Sequence, residues 1–169
     1  MLEKINIKEF KKETTYKFIP IFIEVGNNKI NLSYGGIYNF GKETVSLLNN
    51  IPRHITFNHE MPSHNIKVCT NNDLIKINKD GIYEINYFLQ LIAPQNIDLE
   101  FSLRLNNNKI DSATINKFIK GHETSTFNGS IILKLNKNDF IDMTILTNSF
   151  LNITLSEKAN ASITIKELF

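Results

Sequence analysis

From about residue 82 to the end, apolar and polar positions alternate with period two, in blocks closed by clusters of Asn, Asp, Gly and Lys. Such blocks predict strands. In Ile82 to Leu91 one face carries Tyr83, Ile85, Tyr87, Leu89 and Leu91, and the other carries Ile82, Glu84, Asn86, Phe88 and Gln90. The first face belongs in a core. Ile97 to Leu105 repeats the pattern, with Leu99, Phe101, Leu103 and Leu105 inward, and stops at the turn Asn106-Asn107-Asn108. Further strands are predicted over Ile110 to Ile119, Thr124 to Leu135, Phe140 to Leu146, Leu151 to Leu155 and Ala161 to Leu168, broken by Gly121-His122 and by Asn136-Lys137-Asn138-Asp139.

Upstream, Tyr34 to Asn39 and Arg53 to Phe57 read as shorter strands, with Asn58 to Asn65 as a loop. Tyr16 to Val25 is apolar and β-branched, but Pro20 confines it to a sheet edge or a strand end. Residues 1–32 are expected to form an arm or added edge strand; a short amphipathic helix through Leu2, Ile5 and Phe10 is the rival reading. No ten-residue stretch carries helical periodicity. The fold class that follows is all-β, a sandwich of two antiparallel sheets built from about ten short strands.

The chain has 169 residues, enough for one core, and a net charge of +2 with both signs interspersed. That balance disfavours nucleic acid and anionic membranes as partners. No apolar run reaches the ~18 residues that a spanning helix needs, and no signal-peptide h-region follows the basic start. The single cysteine, Cys69, rules out a disulfide within the chain. Heavy use of Asn, Ile and Lys points to A/T-rich codons and a low-GC bacterium.

Three motifs bear a resemblance. Gly81-Ile82-Tyr83-Glu84-Ile85-Asn86-Tyr87 resembles a strand signature of complement C-one-q heads and tumour necrosis factor. Leu133-Lys134-Leu135-Asn136-Lys137-Asn138-Asp139 looks like that superfamily's strand-turn-strand, and Ala161 to Leu168 looks like its closing strand. Tyr34-Gly35-Gly36-Ile37-Tyr38-Asn39 is similar to the opening strand of the C-terminal head of collagen-like exosporium glycoproteins, the BclA type. The resemblance covers residues 33–169 and implies a ten-strand, TNF-like jelly roll that assembles as a homotrimer. No Gly-X-Y collagen run is present here.

In that superfamily the off-core face of the inner sheet approaches the three-fold axis. Carried over, the resemblance implies a trimer interface of Ile82, Glu84, Asn86 and Phe88 on one strand and Asn128, Ser130, Ile132 and Lys134 on a second. Ser162, Thr164, Lys166 and Leu168 come from the last. Phe88, Ile132 and Leu168 are the expected apolar anchors, while Glu84, Lys134 and Lys166 either pair between protomers or belong to a solvated face.

Material for catalysis is thin, so no catalytic residues, no metal and no cofactor are assigned. His54, His59 and His64 recur every fifth residue in a predicted loop, without the tight spacing of zinc ligands. Asp98, Asp111, Asp139 and Asp142 lack an Asp-x-Asp-x-Asp calcium array. With so little material for catalysis, a non-enzymatic surface or structural module is expected, and the resemblance implies the spore coat or exosporium as its place and itself, as a homotrimer, as its partner. A receptor- or glycan-binding head, including a phage tail-fibre tip, is the alternative, with Tyr and Phe left to stack on a sugar and a loop containing Tyr34, Tyr38 or His59 as the place. A cytoplasmic protein or a phage particle are the alternative locations, and other surface-layer proteins are alternative partners. A cupin-like enzyme lacks its His-x-His ligands.

Overall fold

A computed structural model of the chain describes residues 24–25, 28–29 and 31–168, in two compact units, residues 1–30 and 31–169. In the first unit β1 (Glu24–Val25) and β2 (Asn28–Lys29) pair antiparallel, with Glu24 opposite Lys29. The expectations for the helix and for Tyr16 to Val25 lie outside the described residues, apart from Glu24 and Val25 in this pair.

The second unit runs β3 (Tyr34–Phe40), β4 (Glu43–Leu47), β5 (Arg53–His54), β6 (His59–Glu60), β7 (Ile66–Cys69), β8 (Leu74–Ile77), β9 (Gly81–Ile92) and β10 (Ile97–Leu105). It continues through β11 (Asn108–Ile119), β12 (Thr124–Leu135), β13 (Phe140–Leu146), β14 (Leu151–Leu155) and β15 (Ala159–Glu167). Among the described residues the one helical turn is Thr70–Asn72. The strands form a six-stranded sheet in the order β11-β10-β13-β8-β7, with β5 also on β13. A seven-stranded sheet runs β4-β14-β9-β15-β3-β6, with β12 on the other edge of β9. All the strand pairs are antiparallel.

Alternation decides which residues meet between the sheets. Tyr83, Ile85, Leu89 and Leu91 of β9, Leu99, Phe101 and Leu103 of β10, and Ile141, Met143 and Ile145 of β13 are all fully buried. Tyr87, Phe101 and Phe127 stack in series across the core, with ring centroids 5.5 and 5.6 Å apart. The fit is tight at Gly129, where a Cβ would stand 2.3 Å from the Tyr87 hydroxyl. Only glycine leaves that oxygen its place.

The Asn clusters do the turning. Asn106 and Asn107 both take positive φ, 52° and 67°, between the paired Leu105 and Asn108, which is a two-residue hairpin turn of the primed type that follows the strand twist. Asn138, at φ 77°, serves the β12–β13 connection. A second device interrupts the last strand: Leu155 lies opposite Leu91 and Ala161 opposite Leu89, so β14 and β15 share one edge of β9 around a bulge. Buried Asn160 pins the bulge, donating from Nδ2 to the carbonyls of Gly41 and Ser156 at 2.8 and 2.7 Å.

Strand bounds from alternation match β10, β12, β13 and β14 and lie within two residues for β9, β11 and β15. The stretch Arg53 to Phe57 is strand only at Arg53–His54; Ile55 and Phe57 are buried beyond it, with the Ile55 N–H bonded to the Met143 carbonyl at 3.0 Å. The loop expected over Asn58 to Asn65 contains β6, which is held to β3 by Ile37 opposite Glu60 and Tyr38 opposite His59. Strands β4, β7 and β8 were not legible as alternation, because each offers only two or three apolar residues and the sheet neighbours complete their bonding.

Candidate functional site

Residues opposite one another on antiparallel strands share a face, so the ladders of β12, β9, β15 and β3 lay out the off-core face of the seven-stranded sheet in rows. One row is Asn128, Phe88, Ser162 and Tyr38; the next is Ser130, Asn86, Thr164 and Gly36. The third is Ile132, Glu84, Lys166 and Tyr34, and Lys134 stands opposite Ile82 beyond it. Leu168 extends the face just past β15, its N–H donating to the Ile82 carbonyl at 2.8 Å. All the residues named from the sequence for this face therefore stand together on it.

The face is mixed in chemistry. Ile132 is 61% exposed and Ile82 39%, while Phe88 and Leu168 are half-buried against their neighbours. Glu84 lies between Ile132 and Lys166 across the ladder, yet among the described residues no ion pair forms between Glu84 and Lys166 within the protomer. Toward β6, His59 stacks on Tyr38 with centroids 4.8 Å apart, and His64 stacks on Tyr34 at 6.0 Å. Those ring faces, at the place expected for a sugar, are taken up by histidines. Gly36 lies under Met61 and against the β15 backbone, where a Cβ would stand 2.7 Å from the Met61 sulfur and 2.9 Å from the Ile163 carbonyl oxygen, and at Gly35 a Cβ would stand 3.0 Å from the Ser63 Cβ. At the other end of the face Lys42, Gln90, Ile92, Thr154 and Ser156 line a cleft of about 550 Å³, and the buried Ser156 hydroxyl has no partner among the described residues.

Two buried ionic groups brace the strands, one beneath this face and one on the outer side of the other sheet. Glu167, 1% exposed, accepts from the Ser33 N–H (2.8 Å) and hydroxyl (2.7 Å) and from Lys79 Nζ (2.7 Å). Burial pushes its carboxyl up, but the hydrogen bonds from Lys79 and Ser33 outweigh that and hold it below the usual range. Tyr83 donates to the Lys79 carbonyl at 2.8 Å, and burial raises its phenol. On the other sheet Asp142, 2% exposed, takes a two-pronged bond from Arg104 at 2.7 and 2.9 Å, and Arg104 Nη2 lies 2.8 Å from His54 Nε2. Sequence reasoning left these braces unread. Their one legible signal is a charged residue at an inward-facing strand position, Glu167 between Ile165 and the chain end.

The histidines and carboxylates considered as ligands are dispersed. His54 is on β5 of the six-stranded sheet, whereas His59 and His64 pair with β3 of the other. Asp142 is bound to Arg104, and Asp139 caps the turn by accepting from the Asn136 N–H at 2.8 Å and from Asn106 Nδ2 at 2.8 Å. Among the described residues no three His, Cys, Asp or Glu side chains converge as a metal site.

Two antiparallel sheets with this strand order and a closing strand beside β3 and β9 define a complement C1q/TNF-like jelly roll. Solved structures agree on the fold. The globular domain of zebrafish complement 1qA superposes with a TM-score of 0.58 at 12% identity, over 81% of this chain and 98% of that one. Murine APRIL at pH 5.0 gives 0.60 at 9% identity, over 81% and 99%, and the Eiger TNF of S. frugiperda 0.59 at 10%, over 82% and 92%. Within that class the chain belongs to the BclA C-terminal domain family, whose model matches residues 35–168. No curated protein sequence matches it.

Proposed function

We propose that the chain is a non-enzymatic, homotrimeric head of a bacterial spore surface, of the exosporium type, in which three copies cover the off-core face of the seven-stranded sheet. One observation carries the reading: among the described residues of the single protomer, nothing covers a contiguous sheet face holding Ile82, Phe88, Ile132 and Leu168 beside Glu84, Lys134 and Lys166. A solvated face has no use for a 61%-exposed Ile132 in mid-strand. The occupant proposed is a second and third copy of this chain, because Glu84 and Lys166 offer each other's complement across a closed rotation axis. Membership of the BclA C-terminal domain family supports both the assembly and the spore surface. Residues 33–169 form the head in this reading, and residues 1–32 are the arm that leads into it. No helix among the described residues is long and apolar enough to cross a membrane.

Sedimentation of the full chain tests the assembly. Three protomers per particle are expected, and Phe88→Asp or Ile132→Asp is expected to give single protomers that keep the β-sheet spectrum. Light scattering that still reports three protomers in both variants removes this interface. Antibody labelling of intact spores tests the place, and label confined to the cell interior removes it.

A further inference from the structure

A second feature lies on the opposite sheet, away from every residue assigned to self-association. Where β10 begins and β11 and β13 end, the outer surface holds a shallow cleft of about 400 Å³. Phe118 of β11 forms one wall, directly opposite Asp98 of β10 in the ladder, and is 58% exposed. The other walls carry the amides Asn50, Asn116 and Asn148 and the acids Asp98 and Glu100, with Leu99, Leu146, Thr147 and Lys117 completing the lining.

We propose that this cleft binds a neutral saccharide. A pyranose presents a face of C–H groups that packs on an aromatic ring, and a rim of hydroxyls that both donate and accept. The cleft offers the matching set. Phe118 is the ring. Among the described residues the Asp98 carboxylate and the Asn50 and Asn116 amides bond to nothing in the protein, and the Asn148 amide only accepts from Ser149 at 3.3 Å. These groups supply strong acceptors and two-way amides for adjacent hydroxyls.

The arrangement is also set in advance. Asn50 holds a left-handed backbone, φ 56°, with its N–H bonded to the Thr147 carbonyl at 2.8 Å, and buried Thr147 in turn donates from its hydroxyl to the Asp98 carbonyl at 3.3 Å. One short chain of bonds thus ties the loop after β4, the end of β13 and the start of β10, so little order has to be created on binding. Charge narrows the ligand. The Asp98 carboxylate is unpaired among the described residues, whereas Glu100 is held by Lys109 Nζ at 3.0 Å, and the amine of Lys117 is turned to the Thr126 carbonyl at 3.0 Å, over the Phe127 ring. Sialic and uronic sugars, sulfates and phosphates meet the unpaired Asp98 carboxylate.

The test uses the full chain with three probes, N-acetylglucosamine, methyl galactoside and N-acetylneuraminic acid, followed by amide chemical shifts. Expected are shifts centred on Asn50, Thr147, Asn148 and Phe118 with at least one neutral probe, none with the acidic probe, and a loss of about tenfold in affinity for Phe118→Ala. Asp98→Asn is expected to weaken the same probe. Sedimentation of both variants should match the parent, since neither residue lies on the self-association face. Silence toward both neutral probes, shifts centred elsewhere, a preference for the acidic probe, or full affinity in Phe118→Ala overturns the site. None of these results bears on whether the chain forms a trimer.

Discussion

Ser33 and Glu167 share three hydrogen bonds, running in both directions. The Glu167 N–H donates to the Ser33 carbonyl at 2.7 Å, while the Ser33 N–H and hydroxyl both donate to the Glu167 carboxylate. They are 134 positions apart, and the contact closes the entry of β3 against the exit of β15. Lys79 joins from the β8–β9 turn at 2.7 Å, but it is half exposed, so the larger share of the hold is the buried Ser33 donors.

This contact sets an acid dependence. Because the Glu167 carboxyl is held below its ordinary value of 4.5 in the fold, its stabilisation is complete above that value and disappears as pH falls through the lowered one. Thermal melts from neutral to acidic pH are expected to show the parent losing stability below about pH 4.5, and Glu167→Gln to start lower and flatter. The substitution is expected to cost about 1–3 kcal/mol at pH 7, since it weakens acceptance from buried donors. Parallel pH profiles for the two proteins would refute the role.

Arg104 and Asp142 predict a larger effect. Both ends are shielded, 14% and 2% exposed, so Arg104→Met strands a buried carboxylate and is expected to cost about 3–5 kcal/mol in urea unfolding. Adding Asp142→Leu should return much of that loss, because no unpaired charge then remains. A double variant less stable than Arg104→Met contradicts this account.

Gly129 tests the core. With a Cβ expected 2.3 Å from the Tyr87 hydroxyl and 2.5 Å from its ring carbon, Gly129→Ala is expected to cost about 1–3 kcal/mol by calorimetry. Tyr87 is held by Phe101 at 5.5 Å and has little freedom to swing away. Tyr87→Phe in the alanine background should recover part of the loss; an alanine variant as stable as the parent shows that the ring does move.

Glu84 and Lys166 test the sheet face. Lys166→Glu places two carboxylates side by side on β9 and β15, and the melting temperature is expected to drop by the equivalent of about 0.2–1 kcal/mol. Reversing both, Glu84→Lys with Lys166→Glu, should restore it. Additive losses in the double variant would show that the two side chains do not sense each other.

Alternation alone determined most of the all-β architecture from Gly81 onward, because an antiparallel strand buries every second residue whatever its neighbours are. Ile97 to Leu105 and Thr124 to Leu135 could be bounded from their own side chains, and the off-core side of each strand followed from the same parity. Parity says which face a residue takes, but not who stands beside it. Only the tertiary structure decided that Glu167 meets Ser33, that Arg104 meets Asp142, and that Phe118, Asn50 and Asn148 share one cleft. Those partners lie tens of residues apart, and their meeting depends on ladder register and on loops shaped by left-handed asparagines, to which hydrophobic period is blind. Short strands such as β4 and β6 stayed hidden for the same reason: their bonding is completed by the sheet they join, not by a pattern of their own.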